Sequence, residues 1–313
     1  RRSDWSGIVS ANRLTFKATM AQVSVPATSA NLGPGFDSFG IALDLRDRYA
    51  AIVLDTPDFD VDVTGEGAQE IKRDKNNLVI KAMLRGFEYM GQKPKGIELR
   101  QLNAIPHSRG LGSSAAAIVG GLALARNLVL SGEELLPNEA IIEIGSEMEG
   151  HPDNIAAAVL GSATIAWINE GTKAEAITIP VNPQIKCVAF IPESHLSTSK
   201  ARKLLPDSIS HIDAVKNSTN TALLTHALEH RPDLLLNATK DYLHQSYRRE
   251  AMPKSIDLVE KLRAAGVPAM VSGAGPSVLV LHTMSEAEEN EFIKVGEPNF
   301  KAHKLGISAQ GVE

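Results

Sequence analysis

Pro106-His107-Ser108-Arg109-Gly110-Leu111-Gly112-Ser113-Ser114-Ala115-Ala116 joins an extended segment to an Ala- and Leu-rich run. Upstream, Ile97, Leu99 and Gln101-Leu102 suggest a strand. Downstream, Ser114–Leu130 reads as a buried helix. Glycines in such a junction let the backbone approach a ligand closely. The first N–H groups of a helix have no intrahelical partners, and the helix dipole favours an anion beside them. Two adjacent hydroxyls, Ser113 and Ser114, add donors and an oxygen ligand for magnesium. Gly-Lys-Ser/Thr is missing, so this is no Walker A loop, and the Gly-x-Gly-x-x-Gly dinucleotide fingerprint is missing too. Two readings stay open at this level, a phosphate cradle and an ordinary capped helix after a turn.

Outward from the loop, strands and helices alternate without a strict βαβ rhythm, which indicates α+β. Gln22–Val25 is a short strand running into Pro26–Asp37, a segment dense in turn residues. Arg48–Leu54, Phe59–Val63 and Ser162–Ile168 read as strands. Leu78–Met90, Glu139–Glu149 (with Asn138 as N-cap) and Asp153–Leu160 read as helices. In the second half, strands are expected at Ile185–Ile191, Ala269–Ser272, Ser277–Leu281 and Lys301–Ile307. Helices are expected at His211–Glu229, Met252–Ala264 and Glu286–Val295. A composition shift at Gly171–Pro183 suggests two domains, 21–175 and 176–313.

Bulk properties exclude several classes. The chain has 313 residues, 43% hydrophobic and 22% charged, as in ordinary globular proteins. A net charge of -5 gives no overall pull toward nucleic acid or an anionic membrane, so any phosphate must be held by local donors. Cys187 is the only cysteine, which rules out an intrachain disulfide and a Cys-based metal cluster. It sits in an apolar run and reads as a buried small hydrophobe, compatible with a reducing cytoplasm. No apolar run reaches the length of a membrane span. Arg1–Met20 lacks the apolar core of a secretory signal and is given no functional weight.

Pro-x-x-x-Gly-Leu-Gly-Ser-Ser-Ala-Ala resembles the phosphate-binding motif of the GHMP kinases. Pro26-Ala27-Thr28-Ser29-Ala30-Asn31-Leu32-Gly33-Pro34-Gly35-Phe36-Asp37 resembles the first motif of that family, and Val271-Ser272-Gly273-Ala274-Gly275-Pro276-Ser277-Val278 the third. The three stand in the family's order and span most of the chain. The resemblance implies a two-lobed α+β fold. Its N-terminal domain would be similar to ribosomal protein S5 domain 2 and its C-terminal domain ferredoxin-like, with ATP and acceptor in the cleft between. Homodimers are frequent in such a family. The first motif is similar to the branch that phosphorylates L-homoserine. So are Glu149-Gly150-His151-Pro152-Asp153-Asn154, Ser197-Thr198-Ser199-Lys200-Ala201-Arg202, and Asp241–Arg249 with His244-Gln245 and Tyr247-Arg248.

The resemblance assigns residues Pro106 to Ala116 to ATP. It assigns Asn31, Asp37, His151, Asn154, Thr198, Arg202, Arg248 and Gly273 to the acceptor. Homoserine is a zwitterion with a γ-hydroxyl, and its carboxylate suits the guanidinium forks of Arg202 and Arg248. Its ammonium and hydroxyl suit Asn31, Asp37, His151 and Asn154. Each has a plainer reading. Asn31 and Asp37 fit a turn, His151 a structural role, Asp153 a helix cap, and Arg202 a solvated face beside Lys200 and Lys203; Arg249 competes with Arg248. Magnesium would be held by Ser114 and Glu149, with Glu147 and Glu143 as alternatives. Asn154 stands where mevalonate kinases carry a catalytic Asp, so catalysis by alignment is expected, with Asp37 as the alternative base. The Gly273–Pro276 turn is expected to pack closely on the phosphate loop. Threonine, which resembles homoserine, would compete for its site.

Overall fold

Two sheets organise the chain, which the computed structural model describes at Phe16 and over residues 20–313. The reading of Arg1–Met20 therefore lies outside the described residues, save those two positions. The first sheet contains β1 (Ala21–Ala30), β2 (Phe39–Leu54), β3 (Phe59–Gly65), β4 (Gly96–Asn103), β5 (Ala163–Ile168) and β6 (Ala174–Ile179). Its order is β3-β4-β2-β5-β6, with β1 pairing β2 off that path. The second sheet contains β7 (Lys186–Pro192), β8 (Ala269–Val271), β9 (Val278–His282) and β10 (Phe300–Leu305), in the order β10-β7-β9-β8 with every pair antiparallel. Helices join and cover them: α1 (Leu78–Tyr89), α2 (Ser113–Leu128), α3 (Gly132–Leu135), α4 (Asn138–Glu149) and α5 (Asp153–Leu160) in the first half. Then come α6 (Thr198–Arg202), α7 (His211–Glu229), α8 (Leu235–Ala238), α9 (Pro253–Ala264) and α10 (Glu286–Gly296). The second half thus follows the β-α-β-β-α-β order of ferredoxin-like units.

The core is built around α2. Ala115, Ala116, Ile118, Val119 and Leu122–Ala125 are all buried, so this helix is apolar all round and lies inside the first lobe. A methyl on Gly120 would meet the Tyr49 ring, and one on Gly121 the Val79 carbonyl. Overpacking of this kind costs about 1–3 kcal/mol. At the start of α1, Asn77 Oδ1 accepts from the N–H of Val79 at 2.9 Å, while its amide donates to Gln101 Oε1 at 2.8 Å, tying the cap to β4.

Several boundaries differ from the sequence reading. The first motif is strand as far as Ala30, and only residues 31–38 form its turn. The register of β1 on β2 shifts between Pro26 and Ala27, where proline lacks the N–H a regular ladder would use. Asn138 is not the cap of α4; Pro137 holds that position, and the Asn138 side chain accepts from Arg126 at 2.8 Å. The expected division at 175/176 falls inside β6, which pairs along its whole length with β5. The six-residue segment is half exposed and shows its strand role only beside β5. The chain end also returns to the first sheet: Ser24 and Glu313 exchange backbone bonds of 2.9 and 3.0 Å, and Arg46 donates to Gly311 O at 2.6 Å. Among the described residues no helix is long and apolar enough to cross a membrane.

Candidate functional site

Six segments meet between the sheets: the β1–β2 turn, the loop before α2, the α4–α5 junction, α6, the α8–α9 connection that carries Arg248, and the β8–β9 turn. They enclose a cavity of about 210 Å³. Its floor is the phosphate loop. The first intrahelical bond of α2 runs from Ala116 N–H to Gly112 O at 2.9 Å, leaving the N–H groups of Ser113, Ser114 and Ala115 without helical partners. Gly110 and Gly112 have φ of +76° and +70°. A side chain on Gly110 would strike the Ser272 carbonyl, and one on Gly112 the Thr28 hydroxyl. Ser272 Oγ donates to Gly110 O at 2.6 Å, and Ser277 N–H to Arg109 O at 3.2 Å, so the third motif packs directly on the loop. We expect Gly110→Ala to lower the unfolding free energy by more than about 2 kcal/mol, from a left-handed backbone combined with a collision. Denaturant titration measures it.

The residues expected to contact ATP separate into groups. Ser108, Gly110, Gly112, Ser113 and Ser114 line the cavity. His107, Ser108, Ser113 and Ser114 also line a second cavity of about 300 Å³, bounded by Tyr49, Asn76, Asn77 and Asn103. Leu111, Ala115 and Ala116 point into the core, and the Ala116 N–H is spent inside the helix. Ala116 therefore drops out as a contact, while Ala115 keeps only its N–H. Arg109 turns away: its guanidinium donates to Pro192 O at 2.9 Å, Glu193 O at 3.0 Å and His107 O at 3.1 Å, strapping the loop to the end of β7. Pro106 and Arg109 face a groove on the far side of the loop. Burial pushes the His107 pKa down, against the pull of Asp47. Sequence reasoning missed Asp47. Its buried carboxylate accepts the N–H groups of Ala104 and Ile105 at 2.7 and 2.9 Å, fixing where the loop begins.

At the α2 N-terminus, Ser114 Oγ donates to Glu149 Oε1 at 2.5 Å. Glu147 instead pairs with Arg85 at 3.3 Å, and Glu143 with Lys173 at 3.8 Å. Of the three, Glu149 is the one that meets Ser114. Beyond it, His151 Nδ1 lies 2.7 Å from Asp153 Oδ1, which also accepts the Asn154 N–H at 2.7 Å. Pro152 holds the cap position of α5, so Asp153 is its first residue and serves His151. Burial disfavours the His151 imidazolium, but the hydrogen bond and charge of Asp153, with Glu149 behind, outweigh it and raise the pKa above the ordinary value. The Thr28 hydroxyl, also missed, donates to Asn154 Oδ1 at 2.8 Å, and the Asn154 NH2 spends one hydrogen on Asp153 Oδ1 at 3.4 Å, keeping the other to offer.

Opposite stand the charged residues. Asp37 and Arg202 pair with each other, Oδ2 to Nη1 at 2.9 Å and Oδ1 to Nη2 at 2.5 Å. Each side chain is about a third exposed (34% and 35%), where such a pair is worth at most about 1 kcal/mol, so a charged guest separates it cheaply. Asn31 Oδ1 accepts the Asp37 N–H at 3.0 Å, and its amide donates to Gly273 O at 2.9 Å. Gly273 O also accepts from Arg248 at 3.1 Å; Gly273 therefore joins Asn31 to Arg248 through a carbonyl that is already engaged. Arg248 is buried and lines the cavity; burial, then the neighbouring Arg202 cation, push its pKa down to about 10. Arg249 is exposed and bound to Asp257 and Glu260, so it points away from the cavity that Arg248 lines. Thr198, at the start of α6, lines the mouth. Phe36, between the Arg202 and Arg248 guanidinium groups at 5.4 and 5.7 Å from its centroid, was quoted in the first motif but given no role.

The geometry offers free helix N–H groups, with Ser114 Oγ and Glu149 Oε1 at one end and paired positive and negative groups at the other. Comparisons with known proteins agree. Residues 77–162 match the GHMP kinases N terminal domain, and residues 222–292 the GHMP kinases C terminal domain. The homoserine kinase of Streptomyces coelicolor is 44% identical over 296 residues, covering 95% of this chain and 94% of that protein. That of Clavibacter michiganensis is 48% identical over 260 residues, covering 83% and 82%. Among solved structures, homoserine kinase from Cytophaga hutchinsonii superposes with a TM-score of 0.82 at 25% identity, over 95% of this chain and 98% of that one. Mevalonate diphosphate decarboxylase from Staphylococcus aureus shares the fold, with a TM-score of 0.62 at 12% identity over 94% and 97%.

Proposed function

The chain belongs to the homoserine kinases of the GHMP kinase family, and from that premise we propose that it transfers the γ-phosphoryl group of ATP to the hydroxyl of L-homoserine in the cavity between its sheets. The observation that carries this reading is a shared wall. Ser108, Ser113 and Ser114 line both the 210 Å³ and the 300 Å³ cavity, so a triphosphate crossing that wall joins a nucleoside on one side to an acceptor on the other. The free N–H groups of α2 and the Ser113 and Ser114 hydroxyls receive the phosphate oxygens.

Two protein oxygens, Ser114 Oγ and Glu149 Oε1, suit a magnesium ion that takes its other ligands from phosphate and water. Bound there, the ion would neutralise charge on the β- and γ-phosphates. Asp37 receives the acceptor ammonium, and Arg202, released from Asp37, joins Arg248 on the carboxylate. Asn154 donates its amide to the acceptor hydroxyl, with Thr28 fixing its orientation. His151, held by Asp153, which favours its imidazolium form, lines the cavity beside Asn154. An amide cannot take a proton at neutral pH, so alignment and electrostatics supply the rate, and the hydroxyl proton leaves to phosphate oxygen or solvent.

A coupled assay of ADP release with homoserine, mevalonate, shikimate and galactose tests the reading. Turnover is expected with homoserine, and threonine, which shares both charged groups, is expected to raise its apparent KM. Turnover with another acceptor in preference to homoserine, or with none, would sink it.

A further inference from the structure

We propose that His244 is a positioning residue for the acceptor: held in one tautomer, it ties the Arg248 guanidinium to the β1–β2 turn and thereby sets affinity for the acceptor carboxylate. The proposal rests on the reading that Arg248 receives that carboxylate.

His244 is fully buried, outside the cavity, and the phosphoryl-transfer chemistry does not use it. Its Nε2 lies 2.9 Å from Gly33 O, and its Nδ1 lies 3.1 Å from Arg248 Nη1. A carbonyl oxygen can only accept, and a guanidinium can only donate. The imidazole therefore carries its proton on Nε2 and offers the Nδ1 lone pair to Arg248. Asp241 supports this arrangement. Its carboxylate accepts the N–H groups of Leu243, His244 and Gln245, and its Oδ1 lies 3.5 Å from Nε2, on the donor edge of the ring. Phe36 stacks on the ring with centroids 5.1 Å apart. One imidazole thus clamps the turn that carries Asn31 and Asp37 to the arginine across from them.

The consequence for Arg248 is directional. Its Nη1 is spent on His244 and Gly273 O, while its buried Nε has no partner among the described residues. With Nη1 committed, the Nε–Nη2 edge is the side left for a carboxylate fork. Without the His244 lone pair, Nη1 loses one of its two acceptors and the guanidinium is free to rotate.

Asn and Gln separate the two functions of the ring. The Oδ1 of His244→Asn falls near the position of Nδ1 and keeps an acceptor for Arg248. The terminal amide of His244→Gln reaches the position of Nε2 and keeps only the donor to Gly33. We expect His244→Gln to raise the homoserine KM at least about tenfold, the scale of one lost hydrogen bond to a charged group, and His244→Asn to stay within about threefold of the parent. The ATP KM should move by less than about threefold in both, since neither variant touches the phosphate loop. Arg248→Leu serves as the control and should raise the homoserine KM about a hundredfold or more. If Arg248→Leu leaves that KM unchanged, the carboxylate reading fails. If it acts as expected but the Gln and Asn variants behave alike, the role of His244 fails alone. Nitrogen NMR of the histidine-labelled parent protein tests the tautomer without any variant: a protonated Nε2 and bare Nδ1 at His244 are expected, and a protonated Nδ1 would overturn the proposal.

Discussion

Glu149→Gln should lower kcat roughly 10²–10³-fold, the scale of removing one preorganised electrostatic partner from a transition state. The carboxylate stands 2.5 Å from Ser114 Oγ at the N-terminus of α2. Gln keeps the size and one oxygen but removes the charge that a hard cation requires. The loss should be specific in two ways. The homoserine KM should change little, because Asp37, Arg202 and Arg248 line another part of the cavity. Calorimetry should show affinity for metal-free ATP retained while the gain from added magnesium disappears. Glu147→Gln is the contrast, since that residue pairs with Arg85 on the surface and should leave kcat near the parent value. Equal losses from the two substitutions would exclude Glu149 as the cation ligand.

The second large effect separates binding from proton transfer. Asp37→Ala should raise the homoserine KM about a hundredfold or more, the scale of truncating one member of a charge pair, with a much smaller effect on kcat. Asn154→Ala should act mainly on kcat. The geometry gives the reason: Asp37 faces Arg202, whereas Asn154 is held by Thr28 beside the phosphate loop. Steady-state kinetics with calorimetric homoserine affinities decides the matter. Loss of all turnover in Asp37→Ala with homoserine affinity intact would make Asp37 the base and end the alignment mechanism.

Much of the site was legible because its parts are local. A helix N-terminus after a glycine turn offers free N–H donors to an anion, so a phosphate cradle was one of the two readings that the spacing of residues 108 to 115 allowed. Three motifs in order added the donor and the acceptor branch. The same local view overreached at Arg109, Ala116 and Pro106. Side-chain direction in a loop depends on what packs against it, and here Pro192 and Glu193 capture the Arg109 guanidinium. β6 escaped notice for a related reason, since its six residues, with Glu175, Ile177 and Thr178 exposed, gain their role only when β5 lies beside them.

What the sequence determined by itself was the set of chemical groups: a loop of free N–H donors with two hydroxyls, a carboxylate-rich α4, and two arginines among several. Tertiary structure decided which of them act together. Glu143, Glu147 and Glu149 share one helix, but only Glu149 emerges beside Ser114, because the end of α4 meets the start of α2 there. Arg248 and Arg249 are neighbours in the chain, yet one turns into the cavity and the other onto α9. Such choices rest on contacts between residues far apart in sequence, such as His244 with Gly33 and Thr28 with Asn154, which no local pattern of residue types encodes.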